Sequence, residues 1–524
     1  MDNINDLPVE LIEHILNYLN IQDIKNAKAV CNLWYEILHG IRFQRKCKLS
    51  LGNMFDDDLG ELEKNVIRCY RNVSIVHYDE QDNDGTDYDI VQFKYLYEPT
   101  SENRLIQLLF GLDIDLESLE LSSSFESCRV VLEDRLPQIV NLKQLALMFE
   151  EYHNTESNPC TWVIRHDKIE KLRIRLPCAS LPLKAILPNL TSLQLQSNCR
   201  AAYQIIESYC RQLQYLKVTF VDAETVNDMM SLSFPALEHL DAQIFDHDDK
   251  DMQLRYARTR NKFVDEEKEE QFVKSMVKLK NLELGSNLML FRMGTWLSKY
   301  PNKLVELSLI DLQIDQEQIK VVETMSIKIL KFECCKILTQ SQTLPTVNFP
   351  NLTRLILIGN QSDIVFDKGL SELKSLKLSI GSRNNKVLNK ICNNLLNLEH
   401  LELILYRQLV NTSFRYLGKL TKLKSITFYD CQPKAILWKH CSVVPSLRRI
   451  TFHEGFLSIP TIQHITTPFP GLSELFLDLC YIEKQDEESI NKSFEIISNM
   501  ESNQRSLYHQ QLRSFFPQCT ISMC

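Results

Sequence analysis

The sequence contains very little glycine, with 13 residues in a chain of 524. Loops that cradle phosphate groups need glycine because their backbone must approach the ligand closely. The chain also lacks a Gly-x-Ser-x-Gly nucleophile turn and a His-Glu-x-x-His zinc helix. These absences leave no catalytic constellation of a familiar kind, so we expect a protein that is not an enzyme and that needs no cofactor.

Signals for secretion, membrane insertion and zinc ribbons are missing as well. The first residues, Met1-Asp-Asn-Ile-Asn, lack the basic start and apolar run of a secretory leader. No apolar run approaches the roughly 20 residues that a membrane span needs, and no two of the 16 cysteines form Cys-x-x-Cys. We therefore expect free, partly buried thiols in a reducing compartment, the cytoplasm or the nucleus, and no membrane contact.

Basic residues are slightly fewer than acidic ones. The chain has 59 Lys and Arg and 68 Asp and Glu, which gives a net charge of −9. Residues 79–89 carry six acids and no bases, and residues 246–270 carry nine acids and six bases. The balanced remainder gives no general attraction to nucleic acid or anionic membrane. His247 among acids could be drawn as a metal site, but a solvated acidic loop is the simpler interpretation and we predict no metal.

A six-residue pattern, Leu-x-x-Leu-x-Leu, dominates what the sequence does contain. Strict copies begin at Leu116, Leu142, Leu190, Leu279, Leu304, Leu352, Leu373, Leu398 and Leu472. Looser copies, with another apolar residue at one or more of the three anchor positions, begin at Ile169, Leu213, Leu237, Ile327, Leu423 and Leu447. From residue 279 to residue 472 the copies start 21 to 25 residues apart. A constant period of this size indicates a repeat architecture.

The pattern has a direct structural interpretation. The second and third anchors alternate along a strand, so they share one face, and a single strand with a single helix cannot bury that face alone. Stacked repeats bury it together, with parallel strands about 4.8 Å apart. Helices are about 10 Å wide, so we predict a curved α/β solenoid with strands on its concave side and helices on its convex side.

A second signal follows the anchors. The third position after the last anchor is Asn or Cys in six repeats, namely Asn198, Asn287, Cys335, Asn360, Cys431 and Cys480. There the chain leaves the strand, and we expect these side chains to bond turn backbone that would otherwise be orphaned. With this preference, residues from about 66 to 524 resemble the leucine-rich-repeat family. Of the adjacent Cys334 and Cys335, we expect one at the surface and one in the core.

Residues 1–47 lack the repeat and predict three short helices. Asp6 and Pro8 suit a helix start, and apolar residues then recur at helical spacing to Leu19. The second helix is predicted over residues 21–30 and the third over residues 32 to about 45. Some forty residues rarely support a stable core alone, so packing against a partner or the solenoid is expected.

These residues resemble the F-box family. The resemblance rests on Leu7-Pro8-Val9-Glu10-Leu11-Ile12, Ile15-Leu16, Leu19, Asp23-Ile24, Val30-Cys31 and Trp34, with Ala27 and Ala29 where larger residues are common. It implies docking on the Skp adaptor of an SCF-type ubiquitin ligase. The residues it assigns to that contact are Leu7, Pro8, Leu11, Ile12, Ile15, Leu16, Leu19, Ile24, Val30, Cys31 and Trp34.

Two surfaces of the predicted strands are candidates for binding. In the C-terminal half, residues taken to follow the second or third anchor would face the open concave side and suggest a protein-substrate surface. They are Ile356, Ile358, Ile404, Tyr429, Arg449, His453 and Phe476; alternatively, the C-terminal segment covers Phe476. Lys171, Arg173 and Arg175 form one basic strand, which is too narrow for the broad basic surface that nucleic acid requires.

The predicted organisation is an F-box domain over residues 1–48, a connector over residues 49–72 and a repeat solenoid over residues 73–524. The step of 42 residues from Leu237 to Leu279 predicts an insertion near residues 246–270. Residues 484–524 should cap the solenoid, with a helix over residues 486–514 and a last strand near Ile521.

The resemblance implies a non-catalytic adaptor. Its partners would be Skp, cullin through Skp, and an unidentified protein substrate. The alternative is a leucine-rich-repeat interaction scaffold without ligase function.

Overall fold

The structure is a computed structural model. It describes residues 7–16, 27, 30–39, 48–52, 72–76, 116–123, 136–149, 162–176, 183–197, 200–220, 228–244, 266–285, 303–338, 343–344, 349–359, 363–364, 369–379, 387–405, 413–430, 441–457, 462, 464–465, 467–478, 480–483, 494–496, 508, 510 and 512–523. The chain divides into two compact units. Unit 1 is Met1–Leu237 with Ser275–Val277, and unit 2 is Glu238–Lys274 with Lys278–Cys524.

Unit 1 begins with two helices, α1 (Val9–Leu16) and α2 (Asn32–His39). The Pro8 carbonyl accepts hydrogen bonds from the N–H groups of Leu11 and Ile12 at 2.9 and 3.1 Å, which closes the first turn of α1. A small core joins the helices and consists of Ile12, Leu16, Ala27, Ile37 and Leu38, with Leu7, Leu33 and Trp34 packed against it. The predicted first and third helices are therefore present, while their predicted C-terminal ends lie outside the described residues.

The main sheet of unit 1 is entirely parallel in its described strands. Its order follows the chain: β1 (Lys48–Gly52), β2 (Asn72–Val76), β3 (Ser118–Ser123), β4 (Gln144–Phe149), β6 (Lys171–Leu176), β8 (Ser192–Ser197) and β9 (Tyr215–Phe220). A small parallel pair, β5 (Trp162–Arg165) and β7 (Leu183–Ile186), lies between main strands in sequence. Helix α3 (Arg200–Tyr209) supplies the buried Ile205 and Ile206.

The sheet starts earlier than the sequence predicts. Strand β1 begins at Lys48, the last residue assigned to the F-box domain, and continues into the residues assigned to the connector. It pairs with β2 from Lys48↔Asn72 to Gly52↔Val76. The segment has only the alternation of Leu49 and Leu51, without a first anchor three residues before them. A repeat without the first anchor does not match the Leu-x-x-Leu-x-Leu pattern, so the pattern does not predict it. Its backbone nevertheless forms hydrogen bonds with the neighbouring strand.

Unit 2 repeats the same plan over a longer sheet. Its described main strands are β10 (His239–Ile244), β11 (Asn281–Gly285), β12 (Glu306–Ile310), β14 (Ile329–Glu333), β17 (Arg354–Ile358), β19 (Ser375–Ser379), β20 (His400–Ile404), β21 (Ser425–Tyr429), β22 (Arg449–His453), β24 (Glu474–Asp478) and β27 (Thr520–Met523). Successive members pair in parallel. Helices α4 (Glu266–Ser275), α5 (Gln316–Glu323) and α6 (Val387–Asn394) lie between them in sequence.

Short strands follow several main strands of unit 2. They are β13 (Gln313–Asp315), β15 (Lys336–Leu338), β16 (Thr343–Leu344), β18 (Asp363–Ile364), β23 (Phe456–Leu457), β25 (Tyr481–Glu483) and β26 (Phe494–Ile496). β26 pairs with β25 in antiparallel fashion. The helix predicted over residues 486–514 is therefore wrong at Phe494–Ile496, where a local strand pairing overrides the polar, helix-like composition. Near its predicted C-terminal end, residues 508, 510 and 512–515 are helical. The predicted final strand is present as β27.

Every anchor of the fifteen predicted repeats is buried, with at most 8% of its surface exposed. In each repeat the second and third anchors lie on the main strand and the first lies just before it. This burial, the parallel pairing and the period make both units leucine-rich-repeat solenoids, as the pattern predicts. Truncating an interior anchor such as Leu401, which is fully buried, should cost about 2–5 kcal/mol.

The chain leaves five strands of unit 2 through a residue with positive φ. These residues are Asp311, Cys334, Gly359, Asp430 and Glu454, with φ from 46° to 65°. The N–H of Cys334 donates to the carbonyl of Ile358 at 2.7 Å, and that of Glu454 donates to the carbonyl of Asp478 at 2.9 Å. The turn therefore adds one more hydrogen bond to the ladder between neighbouring repeats.

Cys335 and Cys480, two residues of the Asn/Cys preference after the anchors, form hydrogen bonds between repeats. The buried Cys335 thiol donates to the carbonyl of Leu309 at 3.2 Å, and the buried Cys480 thiol donates to the carbonyl of Phe452 at 3.3 Å. Each bond links one repeat to the preceding one. Because Leu309 and Phe452 lie on strands β12 and β22, both cysteines bond strand backbone of the preceding repeat rather than the predicted turn backbone. Asn198, Asn287, Asn360 and Cys431 lie outside the described residues.

Candidate functional site

The predicted partner-binding residues of the helical region separate into two groups. Ile12 and Leu16 are buried in its core, and Leu7 and Trp34 pack against that core. Leu11, Ile15 and Val30 instead expose 50%, 41% and 60% of their surface. Pro8 is exposed, Cys31 is half-buried, and Leu19 and Ile24 lie outside the described residues.

Two further apolar side chains were not selected from the sequence. Val9 exposes 45% and Tyr35 exposes 49% of its surface. With Leu11, Ile15 and Val30 they make up the exposed apolar side chains of this region, a set that we call the helical apolar face. The sequence did carry a signal for it: apolar residues cover more of α1 than so small a core can bury. The excess faces solvent, which is expensive for a monomer and suits a binding surface.

The predicted substrate residues occupy neighbouring strands of unit 2 in adjacent rows. Ile404, Tyr429 and His453 are directly aligned across β20, β21 and β22. Phe476 lies in another row beside Thr451. All are half-buried except Arg449, which is exposed. The C-terminal strand β27 places Ser522 beside Phe476, and the alternative that the C-terminal segment covers Phe476 stays a prediction.

The register of Arg449 differs from the prediction. It precedes the second anchor, Ile450, and aligns with Ser425 and Glu474. Its guanidinium nevertheless reaches the same surface, where its Cζ lies 5.4 Å from the centre of the Phe476 ring and its Nε pairs with the Glu474 carboxylate. The backbone of Arg449 lies in a different row from Phe476, but the length of the arginine side chain brings its guanidinium to the Phe476 ring.

Tyr429 is the centre of a polar and aromatic cluster that we call the tyrosine cluster. The Lys377 ammonium lies 4.2 Å from the centre of its ring and 3.3 Å from a carboxylate oxygen of Glu402. The Tyr429 hydroxyl donates to Glu402 at 3.1 Å. Burial raises the pKa of this hydroxyl, and the nearby Glu402 carboxylate adds to the shift, so the phenol stays protonated as a donor.

His453 extends the cluster towards the C-terminal repeats. Its ring stacks on Tyr429 with centroids 4.8 Å apart and an interplanar angle of 10°. Its Nδ1 lies 2.6 Å from a carboxylate oxygen of Asp478. Lys377, Glu402, Glu474 and Asp478 thus belong to this surface although the sequence analysis did not select them. The repeat period could have identified these four residues, because each occupies the position on an adjacent strand that aligns with a predicted residue or with a neighbour of one.

The third candidate surface is strand β6 of unit 1. Lys171, Arg173 and Arg175 are all exposed on one face of this strand. Their register neighbours are Gln144, Ala146 and Met148 on β4 and Ser192, Gln194 and Gln196 on β8. No carboxylate stands directly beside the three cations on these adjacent strands, and the structure gives them no ion pair among the residues that it describes.

Among the described residues, no helix combines the length and apolar character needed to span a membrane. The acidic segment containing His247 lies outside the described residues. Helix α4, within and just after the predicted insertion, carries Phe272 and Val273 into the core, so residues 266–275 belong to a repeat.

Comparison with known proteins gives a family match for the N-terminal residues. Residues 4–47 match the F-box-like family model, and the helical apolar face lies within that match. No curated protein matches the chain. One similar solved structure is that of the TLR13–ssRNA13 complex, with 15% identity and a TM-score of 0.37, covering 83% of this chain and 52% of that one. This chain thus spans about half the length of the protein in that structure.

Proposed function

We propose that this chain, an F-box-like domain followed by leucine-rich repeats, is the substrate-recognition adaptor of an SCF-type ubiquitin ligase. The observation that carries the proposal is the coincidence of the F-box-like match over residues 4–47 with exposed apolar side chains on the same helices. F-box domains generally bind the Skp adaptor, and Skp connects them to cullin. The exposed Leu11, Ile15 and Val30 are the side chains that such a partner would cover.

The chain itself acts by binding in this proposal. Its F-box-like helices hold Skp, a surface of its repeats holds the substrate, and a conjugating enzyme bound through cullin transfers ubiquitin to a substrate lysine. Holding enzyme and lysine in one complex converts a bimolecular encounter into an effectively intramolecular one, which accelerates transfer without a catalytic group in the adaptor. The tyrosine cluster is the proposed substrate surface because aromatic and Arg side chains commonly supply the largest binding energies.

The test of Skp binding uses the exposed side chains. Leu7 packs against the core, so its truncation would test folding as well as binding. Leu11→Glu with Ile15→Glu keeps good helix propensity and places charge on the helical apolar face. Co-purification of the full chain with Skp should fall at least tenfold, with unchanged circular dichroism.

Val140→Glu with Val305→Glu is the matched control, because both valines are exposed apolar residues outside the F-box-like match. This variant should retain Skp. Wild-type levels of Skp with the double glutamate in α1 would contradict the proposed contact. A chain that captures protein partners but neither Skp nor cullin would instead be the interaction scaffold.

A further inference from the structure

Three basic side chains on the open strand faces of unit 2 stand opposite carboxylates, whereas the three of β6 in unit 1 do not. In unit 2, Lys377 stands opposite Glu402 and lies 3.3 Å from it, and Arg449 stands opposite Glu474 and pairs with it. His453 likewise stands opposite Asp478, with 2.6 Å between Nδ1 and the carboxylate. In unit 1, the corresponding neighbours of the β6 cations are amides, a hydroxyl, Ala146 and Met148. Among the residues that the structure describes, no carboxylate stands beside the three β6 cations on the adjacent strands, which leaves their charge available for another molecule.

Within the rows of the three cations, the described residues of nearby strands do not cancel this charge. In the row of Arg173, Glu120 stands two strands away on one side and Lys217 stands two strands away on the other. Two strands correspond to about 9.6 Å, and opposite charges at equal distances largely offset each other. Lys171, Arg173 and Arg175 therefore form a local positive stripe in a protein whose net charge is −9.

We propose that this stripe binds an extended acidic segment of a protein partner, with Asp or Glu side chains at alternate positions. Residues on one face of a strand repeat at about 6.7 Å, and the alternate side chains of an extended peptide have the same spacing. Three carboxylates of such a segment can therefore face Lys171, Arg173 and Arg175 in register. Each guanidinium can hold its carboxylate through two parallel N–H···O bonds.

A peptide fits this surface better than a nucleic acid. Single-stranded nucleic acid is bound by basic grooves together with aromatic platforms for the bases. The register neighbours of the three cations on β4 and β8 are Gln144, Ala146, Met148, Ser192, Gln194 and Gln196, which include no aromatic ring. Gln194 and Gln196 offer amide groups to a peptide backbone, and Met148 offers adaptable apolar contact.

The inference deepens the proposed function by naming a class of segment that a substrate would present. It rests on that function only in calling the partner a substrate. The binding test requires no Skp or cullin, so its failure is distinct from a failure of Skp co-purification. The tyrosine cluster belongs to unit 2 and is a separate binding surface.

The experiment measures fluorescence anisotropy of a labelled Glu-Ser-Glu-Ser-Glu-Ser-Glu peptide with the purified full chain. The matched probe is Gln-Ser-Gln-Ser-Gln-Ser-Gln. We expect saturable binding of the acidic peptide, at least tenfold weaker binding of the amide peptide, and weakening by added salt. Arg173→Ala with Arg175→Ala should weaken the acidic peptide at least tenfold, and Arg173→Lys with Arg175→Lys should restore part of the affinity.

The control variant is Arg165→Ala with Lys184→Ala, which removes two exposed cations of unit 1 from β5 and β7. It changes net charge equally, and its affinity should stay within threefold of wild type. Equal binding of both peptides, or an unchanged affinity after the Arg173 and Arg175 substitutions, would overturn the proposal. So would binding only of a phosphoserine version of the peptide, or tighter binding of an eight-nucleotide RNA that depends on the same arginines.

Discussion

At the scale of single residues, two structural features mark the ends of main strands of unit 2, the first after five strands and the second after two. One is a residue of positive φ whose N–H extends the ladder, and the other is a buried side chain that bonds the preceding repeat. Cys334 and Cys335 show both in succession: Cys334 has φ of 53° and is exposed, whereas Cys335 is buried and donates to Leu309. The predicted division of this pair into surface and core is confirmed.

Glu454 tests the first feature. Its φ is 54° and its side chain is exposed, so Glu454→Gly should relieve the contact of Cβ with backbone and stabilise unit 2 by about 1 kcal/mol. Glu454→Ala keeps a Cβ and should give no gain. Urea unfolding of the three proteins compares them directly, and equal stabilities of the Gly and Ala variants would show that the backbone is not strained there.

The cysteines test the second feature by their reactivity. Burial raises the pKa of the Cys335 thiol to about 11 and that of Cys480 to about 12. The thiolate is the reactive form, so N-ethylmaleimide at pH 8 should leave both unmodified in the folded protein. Burial and the nearby Glu333 and Asp311 also raise the pKa of Cys334, but its exposure should make it the faster of the adjacent pair.

Mass spectrometry of the peptide containing Cys334 and Cys335 provides the measurement. One adduct is expected in buffer and two are expected in denaturant. Two adducts in buffer would mean that the hydrogen bond from Cys335 opens readily, contrary to its place in the core.

At the scale of elements, the strands of unit 2 turn sequence distance into contact. Residues about 25 positions apart stand side by side, so His400 aligns with Ser425 and lies 2.7 Å from its hydroxyl. The same register assembles the tyrosine cluster from β19, β20, β21, β22 and β24. The phenylalanine anchors beneath it also stack, with Phe428 and Phe452 centroids 5.2 Å apart. A stacked core under a half-exposed cluster gives a preorganised surface.

Tyr429→Ala with Phe476→Ala tests this surface. Capture of substrate should weaken by about 2 kcal/mol or more, because aromatic side chains carry much of the energy of protein interfaces. Skp should still bind. Quantitative mass spectrometry of partners captured by the full chain gives the measurement.

Thr427→Ala with Thr451→Ala is the control, because both threonines lie in the row of Phe476, and we expect it to retain the partners. If the Tyr429 and Phe476 variant retains all of them too, the cluster serves the fold, and the substrate site must be sought on β6 or in the loops.

At the scale of the whole molecule, the proposed adaptor keeps its two binding tasks on different parts of the chain. The F-box-like match ends at residue 47, and the first described strand of the sheet starts at Lys48. The helical core formed by Ile12, Leu16, Ala27, Ile37 and Leu38 is a cluster of its own. Its small size suits a domain that gains stability from a bound partner.

Removing residues 1–47 should therefore abolish Skp and cullin association while retaining the substrate candidates. Affinity purification of the full chain and of this deletion, followed by mass spectrometry, separates the two classes of partner. Thermal unfolding of the deletion is the control for the repeats. If every partner disappears although the repeats remain folded, substrate binding depends on the F-box-like helices and the two tasks are not separable.

The sequence by itself determined the fold, because repeat burial follows from local periodicity. All fifteen hexamers predicted strands, and all their anchors are buried. Alternation along the strand puts the second and third anchors on one face, and stacking of the repeats buries that face in the core. The F-box resemblance was likewise readable from Leu7-Pro8 to Trp34. Strands β1 and β26 were missed because each lacks the hexamer and exists through pairing with a neighbour.

Only the tertiary structure decided which candidate residues are available to a partner. Ile12 and Leu11 are adjacent apolar residues, yet one is buried and the other is half exposed, because the core of two short helices covers only one side of α1. Arg449 and Arg173 are both strand arginines, yet Arg449 is paired with Glu474 whereas Arg173 stands between Ala146 and Gln194. Pairing of charges depends on the register between strands, and register is a property of the stacked repeats rather than of any one of them.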